Sequence, residues 1–158
     1  MHIHVLTRTQ VVPVAPAEVF RFFGDIRNLE PLTPPWLRFR VLTDPGTQLG
    51  AGALIEYRLT LHAIPVRWIT RIEEWEPDRR FVDTQIRGPY ALWEHTHEFR
   101  PDDHGTRIED SVRYALPLGP LGSLAHVAFV RRDLRRIFDY RRDAAAELLR
   151  APATAPAA

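Results

Sequence analysis

The stretch LGSLAHVAFVRRDLRRIFDYRRDAAAELL (Leu121–Leu149) decides the fold, because its apolar residues recur at helical spacing. At about 100° per residue, Val127, Val130, Leu134, Ile137, Phe138, Ala145 and Leu148 fall on one stripe, with Arg141 in its middle. Arg132, Arg136, Asp139, Asp143 and Glu147 lie opposite. The spacing predicts one long helix over Leu121–Leu149, and a stripe of this kind needs a sheet to cover it. Arg141 has three outlets: its head turns to solvent along a buried stem, pairs internally (Glu74 is one partner), or meets a ligand.

The preceding residues supply the sheet. Ile3–Val12 is rich in β-branched residues and reads as a strand ended by Pro13. Pro16 opens a short helix with Val19, Phe20, Phe22 and Phe23 on its apolar side, closed by Gly24. Asn28–Thr33 reads as a second short helix, ended by Pro34-Pro35. The period then changes to two. Leu37–Val41, Ile55–Leu61, Val66–Glu76, Arg80–Arg87, Ala91–Arg100 and Thr106–Leu116 read as six strands, separated by Asp44-Pro45-Gly46, Ala63-Ile64-Pro65, Glu76-Pro77-Asp78, Gly88-Pro89 and Pro101–Gly105. Turn spacings this short imply an antiparallel meander. The expected architecture is α+β: a curved seven-stranded antiparallel sheet around a long C-terminal helix, with two short helices after the first strand. Residues 1–150 form one domain, and Ala151–Ala158 is a low-complexity tail expected to be disordered.

Composition narrows the function classes. The 158 residues carry a formal charge of +1, which gives no general attraction to polyanions. In Arg131–Arg136 and beyond, Asp133, Asp139 and Asp143 interleave with the arginines as on a solvated, ion-paired helix face, so no nucleic-acid partner is expected. There is no Cys, which excludes disulfides and thiolate chemistry. No apolar run approaches the roughly 20 residues of a membrane span, so no stable membrane insertion is expected. The first residues lack a signal peptide's apolar block, and cytoplasmic is the default location. Serine-nucleophile, P-loop and dinucleotide signatures are absent, and no cofactor is expected. The sequence leaves the oligomeric state open.

Several short motifs in a fixed order carry a resemblance. They are Ala15-Pro16-Ala17-Glu18-Val19-Phe20-Arg21-Phe22-Phe23, Asp25 with Asn28-Leu29, Leu32-Thr33-Pro34-Pro35-Trp36, Gly88-Pro89-Tyr90, Trp93–Phe99, Gly105-Thr106, Asp110–Tyr114 and Pro117–Gly122. Together they resemble the START-like, Bet v 1-like (SRPBCC) superfamily with its helix-grip fold. Within it they resemble the bacterial polyketide cyclase/dehydrase and lipid-transport group, including domains labelled cell-division-inhibitor-like, over about residues 3–149. The resemblance implies a hydrophobic cavity between sheet and helix. Because this fold hosts binders, carriers and enzymes, it leaves the chemistry open.

The segment Trp93–Tyr114 is the place to look for that chemistry. Its loop pairs Arg100 with Arg107, which sets Phe99 opposite Ile108, His97 opposite Asp110, His95 opposite Val112 and Trp93 opposite Tyr114. His95, His97 and Asp110 then share the concave face, and a His97–Asp110 hydrogen bond is expected. Three readings stay open for the pair: a satisfied polar pair, orientation of a ligand's polar group, or general acid–base catalysis with His97 moving the proton and Asp110 orienting it. A metal held by His95, His97 and Asp110 is weighed and set aside. No third histidine falls on that face, and a hydrogen bond explains the same residues. His2 and His4 share the spacing and are expected to face solvent.

Trp68, Thr70, Ile72 and Glu74 are read as lining. On the next strand either Asp83 and Gln85 or Val82 and Thr84 face inward. Phe129 and Tyr140 lie off the helix stripe and are expected under the short helices or against another subunit. The expected partner is a small hydrophobic or amphipathic ligand. Tyr57, Trp68, Trp93, Phe99, Tyr114 and Phe138 would form walls, and His95, His97, Asp110 and Arg141 the polar contacts. The alternatives are a cyclase- or dehydratase-type enzyme using His97 and Asp110, and a partner-binding module whose cavity its own side chains fill. Both short helices and Gly88-Pro89-Tyr90 are expected to act as lids.

Overall fold

The computed structural model describes residues 1–117 and 129–150. Its elements run β1 (His4–Val12), α1 (Pro16–Phe23), two short 3-10 turns (Ile26–Asn28 and Pro35–Leu37), β2 (Arg40–Val41), β3 (Leu54–Leu61), β4 (Ile64–Glu76), β5 (Arg80–Arg87), β6 (Leu92–Asp102), β7 (Gly105–Ala115) and α2 (Arg131–Arg150). The strands form one seven-stranded sheet in the order β1-β7-β6-β5-β4-β3-β2, antiparallel throughout. This is the helix-grip arrangement: strand, short helical pieces, meander, closing helix. The expected helix start at Leu121, the stripe residue Val127, most of the loop Pro117–Gly122 and the tail Ala151–Ala158 lie outside the described residues.

Local chemistry explains the boundaries. Pro16 sits in the first turn of α1, where its missing N–H costs nothing. Gly24 ends that helix, donating its N–H to Phe20 O at 2.8 Å. A Cβ at Gly24 would lie 2.9 Å from the Trp75 ring, so the close approach of α1 to β4 requires glycine there. The second helical piece comes slightly earlier than the spacing predicts. Asp25 Oδ1 accepts from Arg27 N at 2.9 Å and nucleates the turn at Ile26–Asn28.

The strand expected over Leu37–Val41 shrinks to Arg40–Val41. Pro35 sets a 3-10 turn through Leu37, and Arg38 follows in the left-handed region (φ 46°), so pairing starts only at Arg40. β4 begins at Ile64, before the expected Val66. His62 and Ala63 both take positive φ (48° and 68°), giving a two-residue turn of the type that matches strand twist. Pro65 is tolerated inside β4 because that end pairs only with β3.

β4 carries a bulge between Ile72 and Glu74. The extra residue reverses the alternation, so Ile72 and Trp75 both turn inward and Glu74 turns out to pair with Arg80 at 2.7 Å. The expectation that Glu74 continues the lining face is therefore corrected. Two cores result. Under α1, Val19, Phe20 and Phe23 pack on Phe81, Phe99 and Ile108. Under α2, Leu134 and Phe138 pack on Val112 and Tyr114.

The helix stripe holds for Leu134, Phe138 and Ala145, whereas Leu148 is exposed and Leu149 packs instead. Tyr140 meets Trp36 of the second 3-10 turn (ring centroids 5.7 Å apart), outside the two short helices expected from the sequence, while Phe129 is exposed. His2 is exposed and His4 half-buried. Among the described residues, no helix is long and apolar enough to cross a membrane.

Candidate functional site

The hairpin β6–β7 pairs in the predicted register: Arg100 with Arg107, Phe99 with Ile108, His97 with Asp110, His95 with Val112 and Trp93 with Tyr114. Strand alternation therefore puts His95, His97 and Asp110 on the concave face. On β5 the open choice resolves to Asp83, which faces inward beside Phe81. Gln85 instead holds the loop before β6, donating to Tyr90 O at 2.8 Å and accepting from Tyr90 N at 3.2 Å.

Between sheet and α2 lies a cavity of about 160 Å³. Ile55, Tyr57 and Leu59 of β3, Trp68 of β4, Trp93 of β6, and Leu134 and Phe138 of α2 form much of its wall. An apolar cavity of about 150 Å³ accommodates a benzene-sized ring, so one aromatic ring is the scale of ligand admitted without movement.

One end of the cavity is charged. Asp110 sits at its back, 6% exposed, and three groups converge on its carboxylate. Arg141 Nε donates to Oδ2 at 3.1 Å, His95 Nε2 lies 3.2 Å from Oδ1, and His97 Nδ1 lies 2.7 Å from Oδ1. The His97 nitrogen is close but off the line its N–H would need, so this contact is chiefly electrostatic. The directed hydrogen bond of His97 runs from Nε2 to Asp83 Oδ2, 3.1 Å. The expected His97–Asp110 pair is thus a five-residue cluster of Asp83, His95, His97, Asp110 and Arg141. Arg141 reaches the cavity; Glu74, the partner weighed for it, is engaged with Arg80.

The cluster sets its own protonation. Burial alone would lower the pKa of His97, but Asp110 and Asp83 outweigh it and hold the imidazole above its ordinary value. His95 shifts the other way: burial, then the neighbouring charge on His97, pull it down, and its hydrogen bond to Asp110 does not compensate. Burial would raise Asp110, but Arg141, His97 and His95 together hold it well below the usual carboxylate range. The two acids thus favour the charged form of His97, while burial and the neighbouring His97 favour the neutral form of His95. The His95 and His97 rings lie 3.9 Å apart, and His97 stacks on Phe81 at 4.1 Å.

A second polar spot lies at Thr70. Its Oγ1 accepts from Trp68 Nε1 at 3.1 Å and lies 3.2 Å from the Tyr57 hydroxyl, whose pKa burial pushes up.

Of the residues singled out in the sequence, Tyr57, Trp68, Trp93, His95, His97, Phe138 and Arg141 line the cavity. Phe99 lies in the core under α1, Tyr114 in the core under α2, and Asp110 behind the two histidines. The sequence singles out neither Asp83 nor Phe81 as a site residue. Strand alternation narrows their side of β5 to two options, and the pairing of Phe81 with His97 and Asp83 with His95 decides between them.

A family profile described as polyketide cyclase/dehydrase and lipid transport matches residues 4–150. No curated protein matches the chain in sequence. Among solved structures, TTHA0849 from Thermus thermophilus superposes with a TM-score of 0.74 at 21% identity, covering 97% of this chain and 100% of its own. The Zhui aromatase/cyclase from Streptomyces sp. R1128 gives 0.67 at 14% identity, covering 94% and 92%. A nucleoside-diphosphate sugar epimerase from Corynebacterium glutamicum gives 0.60 at 25% identity over 90% of this chain, which corresponds to 28% of that longer protein.

Proposed function

The chain belongs to the polyketide cyclase/dehydrase and lipid transport family, and from that premise we propose that it binds a small hydrophobic or amphipathic molecule between sheet and α2. Members of this family bind hydrophobic molecules or act on polyketides. The observation that carries the reading is an apolar cavity with its polar groups gathered at one end. Burial of the ligand's apolar part supplies most of the affinity, at about 25 cal/mol per Å² less the costs of association. His95, His97 and Arg141, backed by Asp110, orient a carbonyl, phenol or carboxylate at the charged end.

Titration with a fluorescent dye of single-ring size, read by energy transfer from the protein's tryptophans, tests this. Stoichiometric energy transfer is expected, with displacement by monocyclic aromatic acids and phenols. An Ile137→Trp variant, which narrows the cavity from α2, should weaken binding roughly tenfold or more with the fold intact. Unchanged dye affinity in that variant would place the dye elsewhere and remove the support.

A second reading is favoured by one observation: the pKa values of neighbouring buried imidazoles, with rings 3.9 Å apart, are pushed in opposite directions, as those of acid and base partners are in catalytic sites. In a cyclase or dehydratase His97 would move the proton, with Asp110 and Asp83 orienting it. Given a turned-over substrate, His97→Ala should lower the rate by about 10²-fold or more with the fold intact; unchanged turnover would remove His97 from the mechanism.

A further inference from the structure

We propose that Asp83, His95 and His97 form a binding site for one divalent transition-metal ion, open to the cavity. The sequence alone favours a hydrogen bond over a metal at His95, His97 and Asp110. Asp83, brought in from β5, changes the donor set. One nitrogen from each imidazole and one Asp83 oxygen lie within 4.8 Å of one another. Asp83 Oδ2 lies 3.1 Å from His97 Nε2 and 3.8 Å from His95 Nδ1. Ligand bonds of about 2.0–2.1 Å set neighbouring donor atoms roughly 2.9–3.4 Å apart. Of the three edges of the donor triangle, the Asp83–His97 edge already has that spacing, the Asp83–His95 edge is a few tenths of an ångström wide, and the edge between the two imidazole nitrogens is within 4.8 Å.

Asp110 supplies the independent observation. Its Oδ1 lies beside the far nitrogen of each ring, 3.2 Å from His95 Nε2 and 2.7 Å from His97 Nδ1. A carboxylate behind the imidazoles is what fixes tautomer and ring orientation in histidine metal sites. With its Nε2 proton held by Asp110, His95 presents Nδ1 toward Asp83, and His97 already has Nε2 there. The Nδ1 of His95 and the carboxylate of Asp83 then face each other as two acceptors, a pairing a cation satisfies. Phe81 against His97 (4.1 Å) and Phe138 against His95 (5.2 Å) restrict both rings.

Behind the site Arg141 neutralises Asp110, so the ion meets one carboxylate and two neutral imidazoles. Two nitrogens and one carboxylate oxygen with positions left toward the cavity suit Zn²⁺ or Fe²⁺ rather than Ca²⁺ or Mg²⁺. Binding exchanges the proton shared by His97 Nε2 and Asp83 for the ion.

The test uses the full chain stripped with chelator, in a His2→Ala/His4→Ala background. That background removes the N-terminal imidazole pair, whose rings lie 4.4 Å apart. Titration with Zn²⁺ by calorimetry and with Co²⁺ by visible absorption should give one equivalent. Asp83→Asn should weaken it at least ~100-fold, and Asp110→Asn by about 10–100-fold. X-ray absorption of the Zn²⁺-loaded protein should show two imidazole ligands, a readout that needs no substitution at the site itself. Absence of stoichiometric binding, binding unaffected by Asp83→Asn, or a spectrum without imidazole scattering would each overturn the proposal.

Discussion

Arg141→Leu withdraws a guanidinium from a buried carboxylate, and its cost follows from what stays behind. The Arg141 and Asp110 side chains are 13% and 9% exposed, with Nε and Oδ2 3.1 Å apart. Breaking a buried ion pair by deleting one partner costs about 3–5 kcal/mol when the other charge is left alone. Asp110 is not left alone: His97 and His95 remain at 2.7 and 3.2 Å. The loss should therefore fall below that range, about 2–3 kcal/mol, or roughly 4–12 °C in Tm for a domain of this size.

The pH dependence of that loss is the sharper part. His97 is held above its ordinary value of 6.5, so its contribution to stability is complete below 6.5 and is lost as pH rises through the folded-state pKa. Arg141 is a positive neighbour that lowers this pKa, so removing it moves the window further alkaline. The variant's deficit should be smallest near about pH 6, where His97 is charged and takes over the neutralisation of Asp110, and largest near about pH 9. Urea unfolding of chelator-treated wild type and variant at both pH values, with His97 followed by NMR, reads both effects. A deficit under about 0.5 kcal/mol, typical of an exposed pair, or one equal at the two pH values would refute the reasoning.

Other positions make independent demands. Gly105→Ala places a Cβ 2.1 Å from Val12 O on a residue with φ 128°, and should cost about 2 kcal/mol or more in urea unfolding. Thr70→Val leaves the Trp68 indole N–H without its acceptor; a loss of about 1–3 kcal/mol and a shift in tryptophan emission are expected. Asp139→Asn breaks the link from Arg8 on β1 to α2. Because Asp139 is 45% exposed, thermal denaturation should show less than about 1 kcal/mol, fading in high salt.

The element order, the β6–β7 register and the inward placement of His95, His97 and Asp110 were legible because each rests on a period or a turn. Alternation assigns a face, and a short loop fixes pairing. What failed to read were departures from period. The bulge beside Ile72 adds one residue and turns Glu74 out and Trp75 in; its trace is the pair Glu73-Glu74 between Ile72 and Trp75, which an unbroken two-residue period passes over. The direction of Asp83 depends on the register of β5 against β6, which no short, unambiguous turn sets in the sequence, so the fourth member of the polar cluster is undecided there. Arg38 takes a left-handed backbone without glycine, which hid the early end of the second 3-10 turn. Arg141 was placed on the correct stripe, but only the meeting of α2 with β7 picks Asp110 over solvent or Glu74.

Native mass spectrometry of the purified protein, before and after organic extraction and reloading with a monocyclic aromatic acid, tests the central claim most directly. The expected result is a one-to-one complex with a small hydrophobic mass, restored by reloading in wild type and lost in Ile137→Trp. A protein that carries no small molecule and takes up none at one-to-one stoichiometry would contradict it.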